Sequence, residues 1–252
     1  MARLDNILEY ADQLLDINQF SDYCPNGLQV QGRSEVGRIV GGVTASKQLI
    51  DQAIAEQADA ILVHHGYFWK GETPVITGMK YERIRSLIES GISLLAYHLP
   101  LDAHPVYGNN ACLAELLGIS VTGSFARNGK VDIALHGHLT KALSAAGMQD
   151  RIEQVLGRKP LHIAGSEREI YKVGWCTGAA QGYIEEAAAL ELDAYITGEI
   201  SEHTYHTAKE LGIHFFAAGH HATERYGVQA LGAHLSDYFN LEFKFIDSDN
   251  PV

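Results

Sequence analysis

The feature that most constrains this chain is an internal repeat. Val43-Thr44 opens a stretch that contains Ile50-Asp51 and Ala53 and ends Asp59-Ala60-Ile61-Leu62-Val63-His64-His65. Cys176-Thr177 opens a second stretch that contains Ile184-Glu185 and Ala187 and ends Asp193-Ala194-Tyr195-Ile196-Thr197-Gly198-Glu199. The following segments match as well, Gly91-Ile92-Ser93-Leu94-Leu95-Ala96 lying opposite Gly212-Ile213-His214-Phe215-Phe216-Ala217. Self-similarity of this kind implies two halves of one architecture. The strand, helix, strand order within each half predicts a parallel sheet with right-handed crossovers, so the fold class is α/β.

The run Ala60-Ile61-Leu62-Val63 does not alternate, which reads as a strand buried on both faces. In open parallel sheets ligands bind beyond the carboxyl ends of the strands. His64 and His65 stand there and point to opposite sides of the strand, poised to serve two neighbouring centres. His65 falls opposite Glu199 in the repeat. The next strand of each half ends in a histidine followed four residues later by a carboxylate: His98 with Asp102, and His220 with Glu224.

Taken in order, residues 4 to 20 carry Leu4, Ile7, Leu8, Ala11, Leu14 and Leu15 at helical spacing. The turn cluster Asp22-Tyr23-Cys24-Pro25-Asn26-Gly27 follows, then a short strand over 28–31 and another over 38–43. Thr44-Ala45-Ser46 starts a helix to about Glu56, and Met79 to Ser90 is a further helix before the strand 92–97. A helix is predicted over 109–117, strands over 131–135 and 161–164, and a helix over about 143–156 between them. The glycine-containing polar stretch 123–130 is the expected boundary, giving a first half of 1–125 and a second of 126–225. The final helix 228–239 and alternating strand 241–246 are expected to return to the first half, completing it with 226–252.

Composition excludes several classes. No run approaches the roughly 20 apolar residues needed to span a bilayer, so no membrane partner is expected. The start Met1-Ala2-Arg3-Leu4-Asp5 lacks a secretory profile, and three widely spaced cysteines, an odd number, argue for a reducing compartment; the cytoplasm is expected. A net charge of −12 disfavours duplex nucleic acid, although a metal can still hold a small phosphorylated substrate.

Imidazole together with carboxylate suits borderline divalent ions such as Zn, Fe, Mn, Co or Ni. The candidate ligands are His64, His65, Asp102, His220 and Glu224. Five are too many for one catalytic zinc with an open position, and enough for two ions bridged by a carboxylate and a water. Such a pair lowers the pKa of its water, so that a metal-bound hydroxide becomes the nucleophile.

Together His64-His65-Gly66, His98-Leu99-Pro100-Leu101-Asp102, Thr197-Gly198-Glu199 and Gly219-His220-His221-Ala222-Thr223-Glu224-Arg225 resemble the Nif-three-like dinuclear metal-centre family, also called GTP cyclohydrolase 1 type 2-like. Pro25-Asn26-Gly27-Leu28-Gln29-Val30 and Gly108-Asn109-Asn110 match the same family, over nearly the whole chain and with its short bacterial members. The resemblance implies that the five candidates are the metal ligands, with Glu224 the bridge. It also implies two interlinked three-layer α/β/α domains and a homo-oligomer, a hexameric ring with the metal sites facing its cavity. The cysteine and histidine zinc set of the unrelated classical cyclohydrolase is absent, so that enzyme's mechanism does not transfer.

Two functions remain open. One is a dinuclear metal-dependent hydrolase acting on a small nucleotide-like substrate, with His98 the candidate catalytic residue for proton transfer, against a plain structural hydrogen bond for that side chain. The other is a non-catalytic metal-binding protein for storage, delivery or sensing. His221, His203 and His206 either line the site or serve structure, whereas His136, His138, His162, His214 and His234 are expected to be structural. Tyr67, Phe68 and Trp69 are expected to pack at a subunit contact rather than stack a base. Arg225 either holds a phosphate or pairs with a carboxylate.

Overall fold

The computed structural model describes all 252 residues. The chain forms two compact units, Met1–Gly108 with Gly227–Ser248, and Asn109–Tyr226 with Asp249–Val252. In chain order the elements are β1 (Ala2–Arg3), α1 (Leu4–Leu14), β2 (Gly27–Val30), β3 (Glu35–Val36), β4 (Arg38–Thr44), α2 (Lys47–Ala55), β5 (Ala60–His65), α3 (Gly78–Ser90), β6 (Ser93–Ala96) and α4 (Leu99–Ala103). The second unit holds α5 (Asn109–Leu117), β7 (Ile119–Asn128), β8 (Val131–Leu143), α6 (Ala145–Leu156), β9 (Leu161–Ile163), β10 (Ile170–Trp175), α7 (Ile184–Ala189), β11 (Ala194–Thr197), α8 (Glu202–Leu211), β12 (His214–Ala217) and α9 (His220–Thr223). The chain then runs through α10 (Arg225–Phe239) and β13 (Glu242–Phe245). No helix is long and apolar enough to cross a membrane.

The first unit's main sheet has the order β13-β4-β5-β6-β2, parallel except for β2. Its central strand shows why the sequence does not alternate. Ala60 and Leu62 face a core made with Leu4, Ile7 and Ala11 of α1 and Val228, Leu231 and Leu235 of α10. Ile61 and Val63 face a second core made with Leu49, Ile50 and Ala53 of α2 and Ile84 and Leu87 of α3. A period-two strand covered on both faces must be apolar at every position, which gives the three-layer α/β/α arrangement. Ser46 starts α2 by accepting a hydrogen bond from Leu49 N at 3.1 Å.

The second unit's sheet has the order β7-β8-β10-β11-β12-β9, with β10, β11 and β12 parallel. Ala194 and Ile196 of β11 pack with Met148, Ile152 and Leu156 of α6 and Leu113 and Leu117 of α5. The opposite face carries α7 and α8, with Ile184, Ala187 and Ala208 buried. The internal repeat extends to single hydrogen bonds. Asp59 Oδ2 accepts from Gly37 N and Arg38 N at 2.8 and 3.0 Å, and Asp193 Oδ2 accepts from Tyr171 N and Lys172 N at 3.0 and 2.8 Å. Each carboxylate precedes the second strand of its β-α-β unit and ties down the start of the first, which fixes register in both halves.

Three local expectations change. Helix α1 ends at Leu14 because Asp16 turns to φ +46°, and a 3₁₀ turn over Ile17–Gln19 follows. Strand β8 runs on to Leu143. Residues 123–130 are no linker: they close the β7–β8 hairpin, where Arg127 pairs with Asp132 and Asn128 with Val131, and the contact division falls at Gly108 instead. The stretch looked polar because much of β7 faces outward.

Candidate metal centre and its surroundings

In the first unit, β5 ends at His65 and β6 ends at Ala96, so both deliver their following side chains to one end of the sheet. His64, His65 and His98 each offer a ring nitrogen within 4.8 Å of the others. His64 is fully buried, and its Nδ1–H donates to the Tyr97 carbonyl at 2.9 Å. A carbonyl only accepts, so in the neutral ring Nε2 carries the lone pair. That atom lies 3.5 Å from Asp102 Oδ1, whose residue is 5% exposed. Two acceptors facing each other in a buried place call for a cation between them, a proton or a metal ion. His65 lies with its Nδ1 3.2 Å from Thr44 Oγ1.

His98 is held by a residue that local sequence patterns do not reveal. Its Nδ1–H donates to Asp22 Oδ1 at 2.7 Å, and its backbone N–H donates to Asn26 Oδ1 at 2.8 Å. Asp22 also accepts from Tyr23 N, Asn26 Nδ2 and Leu99 N at 2.6, 2.8 and 3.0 Å. Burial alone would raise the Asp22 pKa, but the bond to and charge of His98, with Asn26 and Tyr23 N, bring it below its ordinary value. The turn cluster around Asn26-Gly27 is thus a clamp for His98. Cys24 offers its sulfur within 4.8 Å of Asp22 and His98, but burial and the Asp22 charge push its thiol up to about 12.

In the second unit, α9 opens with His220, which follows the end of β12 at Ala217 after Ala218 and Gly219. His220 Nδ1–H donates to Glu199 Oε1 at 2.7 Å, and Nε2 stands 3.1 Å from Glu224 Oε2. Burial would lower the His220 pKa, yet the two carboxylates raise it to about 9. A metal at Nε2 would take the place of the proton that the two carboxylates favour on the ring, while Glu199 keeps the ring oriented. Glu224 is 2% exposed. Gly178, with φ +67°, lies against it: a Cβ there would overlap Glu224 Oε1 and stand 3.3 Å from His220 Nε2. Only glycine leaves the carboxylate its place beside the histidine. Donor chemistry and this cradle both fit a divalent ion.

The other candidates are placed as follows. Arg225 Nη2 donates to the Leu156 carbonyl at 2.9 Å, and its guanidinium lies 5.5 Å from the Tyr226 ring. His203 and His206 sit on the exposed face of α8. His221 is buried, and its backbone N–H donates to the Val252 carbonyl. His162 stands 3.1 Å from His214. His234 lies between the Tyr10 and Tyr107 hydroxyls at 2.7 and 2.9 Å. Tyr67 is buried, its hydroxyl donating to the Ala45 carbonyl. Trp69 packs against His98, 5.0 Å between ring centroids.

Comparison with known proteins gives one consistent picture. The family model described as Duf34/NIF3 (NGG1p interacting factor 3) matches residues 2–251. A protein of Pseudomonas aeruginosa called GTP cyclohydrolase 1 type 2 homolog is 53% identical over 249 residues, covering 99% of this chain and 98% of that protein. An Escherichia coli K12 protein of the same name is 50% identical over 242 residues, with 96% of each covered. Among solved structures, one titled protein ybgI of unknown function has a TM-score of 0.95 at 48% identity, with all of both chains covered. TTHA1606 from Thermus thermophilus has a TM-score of 0.91 at 32% identity, again over the full length of both.

Proposed function

The chain belongs to the Duf34/NIF3 family, and on that footing we propose that it is a dinuclear metal-dependent hydrolase of a small nucleotide-like substrate. His64, His65, Asp102, His220 and Glu224 would hold two divalent ions of the Fe, Zn, Mn, Co or Ni class, with Glu224 proposed as a ligand to both. When bound, the ions supply Lewis acidity and a water acidic enough to ionise near neutral pH. The observation that carries this reading is the buried approach of His64 Nε2 to Asp102 Oδ1 at 3.5 Å, with the other ring nitrogen already committed to Tyr97.

The chain's own residues have separable tasks. Tyr97 and Glu199 orient His64 and His220 by fixing their Nδ1 atoms. His98, with Nδ1 committed to Asp22, keeps Nε2 available to take or return a proton. Its ring centroid is 5.0 Å from that of His64 and 5.7 Å from that of His65, close enough to reach a substrate at those histidines. The name carried by the relatives makes GTP the first substrate to test, and the protein is proposed to act in the cytoplasm as a hexameric ring.

Protein purified without chelator should carry close to two divalent ions per chain, and Glu224→Gln should weaken the binding of both. Turnover of GTP should require the ions and vanish in His64→Ala. One ion per chain, indifferent to Glu224→Gln, would remove the dinuclear reading. Two ions with no turnover of any nucleotide would remove the hydrolase.

A further inference from the structure

The loop after β5 is built with more care than a surface crossing requires. Gly66 lets the backbone pass so close to β6 that a Cβ there would stand 2.7 Å from Ala96 Cβ and overlap Gln29 Oε1. The same Gln29 oxygen accepts from Tyr67 N at 2.6 Å. Phe68 takes φ +65°, a left-handed conformation that is a genuine outlier for a bulky residue and costs about 1–2 kcal/mol. Its ring is held by Lys80, whose Nζ lies 4.8 Å from the centroid. Strain of this kind persists where the surroundings over-determine it, and it clusters at functional sites.

The outcome of this construction is the placement of one side chain. Trp69 Nε1–H donates inward to the Gly66 carbonyl at 3.2 Å, and its backbone N–H donates to Glu72 Oε2 at 3.2 Å. The indole centroid is then 5.0 Å from His98, at an interplanar angle of 86°, and 5.9 Å from His65. Tyr23, 55% exposed, stands on edge to the same imidazole with centroids 6.5 Å apart. Its carbonyl accepts from Lys70 N, which ties the two aromatic segments together. Two flat aromatic rings thus stand upright beside the imidazoles, and the indole's polar edge is turned inward.

We infer that Trp69, with Tyr23 beside it, is a recognition wall that stacks the planar heterocyclic ring of the substrate next to His65 and His98. The chemistry asked of the ligand is a flat π-face of one or two fused rings, as in a purine. Stacking on an aromatic side chain is tolerant of which base is present, so this wall selects for a heterocycle rather than for one base. The inference rests on the reading of the imidazole cluster as the reaction site, and it assigns to the aromatic loop a task beyond packing.

The chain contains two tryptophans, and the other, Trp175, is fully buried with Nε1–H on the Asn110 carbonyl, so Trp69 is a built-in reporter. Titration of the purified, metal-bearing protein with guanosine should quench Trp69 emission saturably, GTP should do the same, and ribose 5-phosphate should not. Trp69→Phe should lose the signal yet bind guanosine within a few-fold by equilibrium dialysis. Trp69→Ala should weaken guanosine by about 5- to 150-fold with its metal content unchanged. The wall is overturned if wild-type protein fails to bind guanosine, if it binds without quenching, if ribose 5-phosphate quenches equally, or if Trp69→Ala binds as wild type. A chain that holds two ions and fails these tests refutes the wall alone. One that quenches with guanosine and holds no ion refutes the metal centre alone.

Discussion

Gly178→Ala is the sharpest probe of the proposed ligand Glu224, because it perturbs the carboxylate without altering its chemistry. The new Cβ would lie 3.1 Å from Glu224 Cδ and overlap Oε1, well inside the 3.0 Å that real contacts respect. The backbone cannot retreat easily. Gly178 N donates to Thr223 Oγ1 at 3.1 Å, and its carbonyl accepts from Gly198 N at 2.8 Å and Thr197 Oγ1 at 3.0 Å. Glu224 must therefore move, by on the order of 1 Å, against a ligand-distance tolerance of about 0.2 Å. Metal affinity should fall by at least the roughly 10- to 100-fold seen when an orienting partner is lost.

The same substitution places an alanine at φ +67°, which costs about 1–2 kcal/mol and, in a chain of this size, lowers Tm by about 2–8 °C. Equilibrium dialysis against Co²⁺ with metal analysis, run beside a thermal melt, separates the two effects. Gly182→Ala is the control, since a Cβ there meets nothing within 4 Å. Unchanged cobalt affinity in a folded Gly178→Ala protein would show that Glu224 is no ligand. If that variant does not fold, Glu224→Gln decides the same point without a clash.

Three further outcomes follow from the geometry. Glu199→Gln removes the carboxylate that orients His220 and should weaken metal by about 10- to 100-fold at little cost in Tm, as read by the same dialysis; an unchanged affinity would leave Glu199 without a role. Leu62→Ala opens a cavity in a strand buried on both faces, with Leu62 1% exposed, and should cost about 2–5 kcal/mol, seen as a lower midpoint in urea. Cys24, 8% exposed and with its thiol pushed up to about 12, should hold roughly one part in ten thousand as thiolate at pH 8, so iodoacetamide should label it only after unfolding; rapid labelling of native protein would contradict its burial.

What was legible in the sequence had a local periodicity behind it. The unbroken apolar run of β5 announced a strand covered on both faces, and the histidine four residues before a carboxylate announced the turn after β6 and after β12. The clamp on His98 was not legible, because Asp22 and His98 are 76 positions apart and the Asp22 turn resembles any other. Strand β7 was missed for a different reason: apart from Val121 its exposed residues, Ser120, Thr122, Ser124 and Arg127, are polar and it carries Gly123, so it reads as a loop until its pairing with β8 is seen. The left-handed Phe68 that sets up Trp69 has no sequence signature at all, since aromatic residues do not ordinarily take that conformation.

The repeat also accounts for the proposed donor set. In both units a parallel strand is followed within three residues by a histidine held at Nδ1 by a carboxylate, Asp22 for His98 and Glu199 for His220. They diverge one strand earlier, where the first unit supplies His64-His65 and the second supplies Gly198-Glu199. The first unit is therefore rich in nitrogen, with three imidazoles within 4.8 Å, whereas the second places its carboxylates around one imidazole. A site of oxygen ligands alone would favour magnesium or calcium, and a soft site would need thiolate. The one sulfur nearby, Cys24, stays protonated because burial and Asp22 both oppose its ionisation. Nitrogen with carboxylate oxygen is what remains, so competition experiments should rank cobalt, zinc and nickel above magnesium. A preference for magnesium would mean that the imidazoles are not ligands.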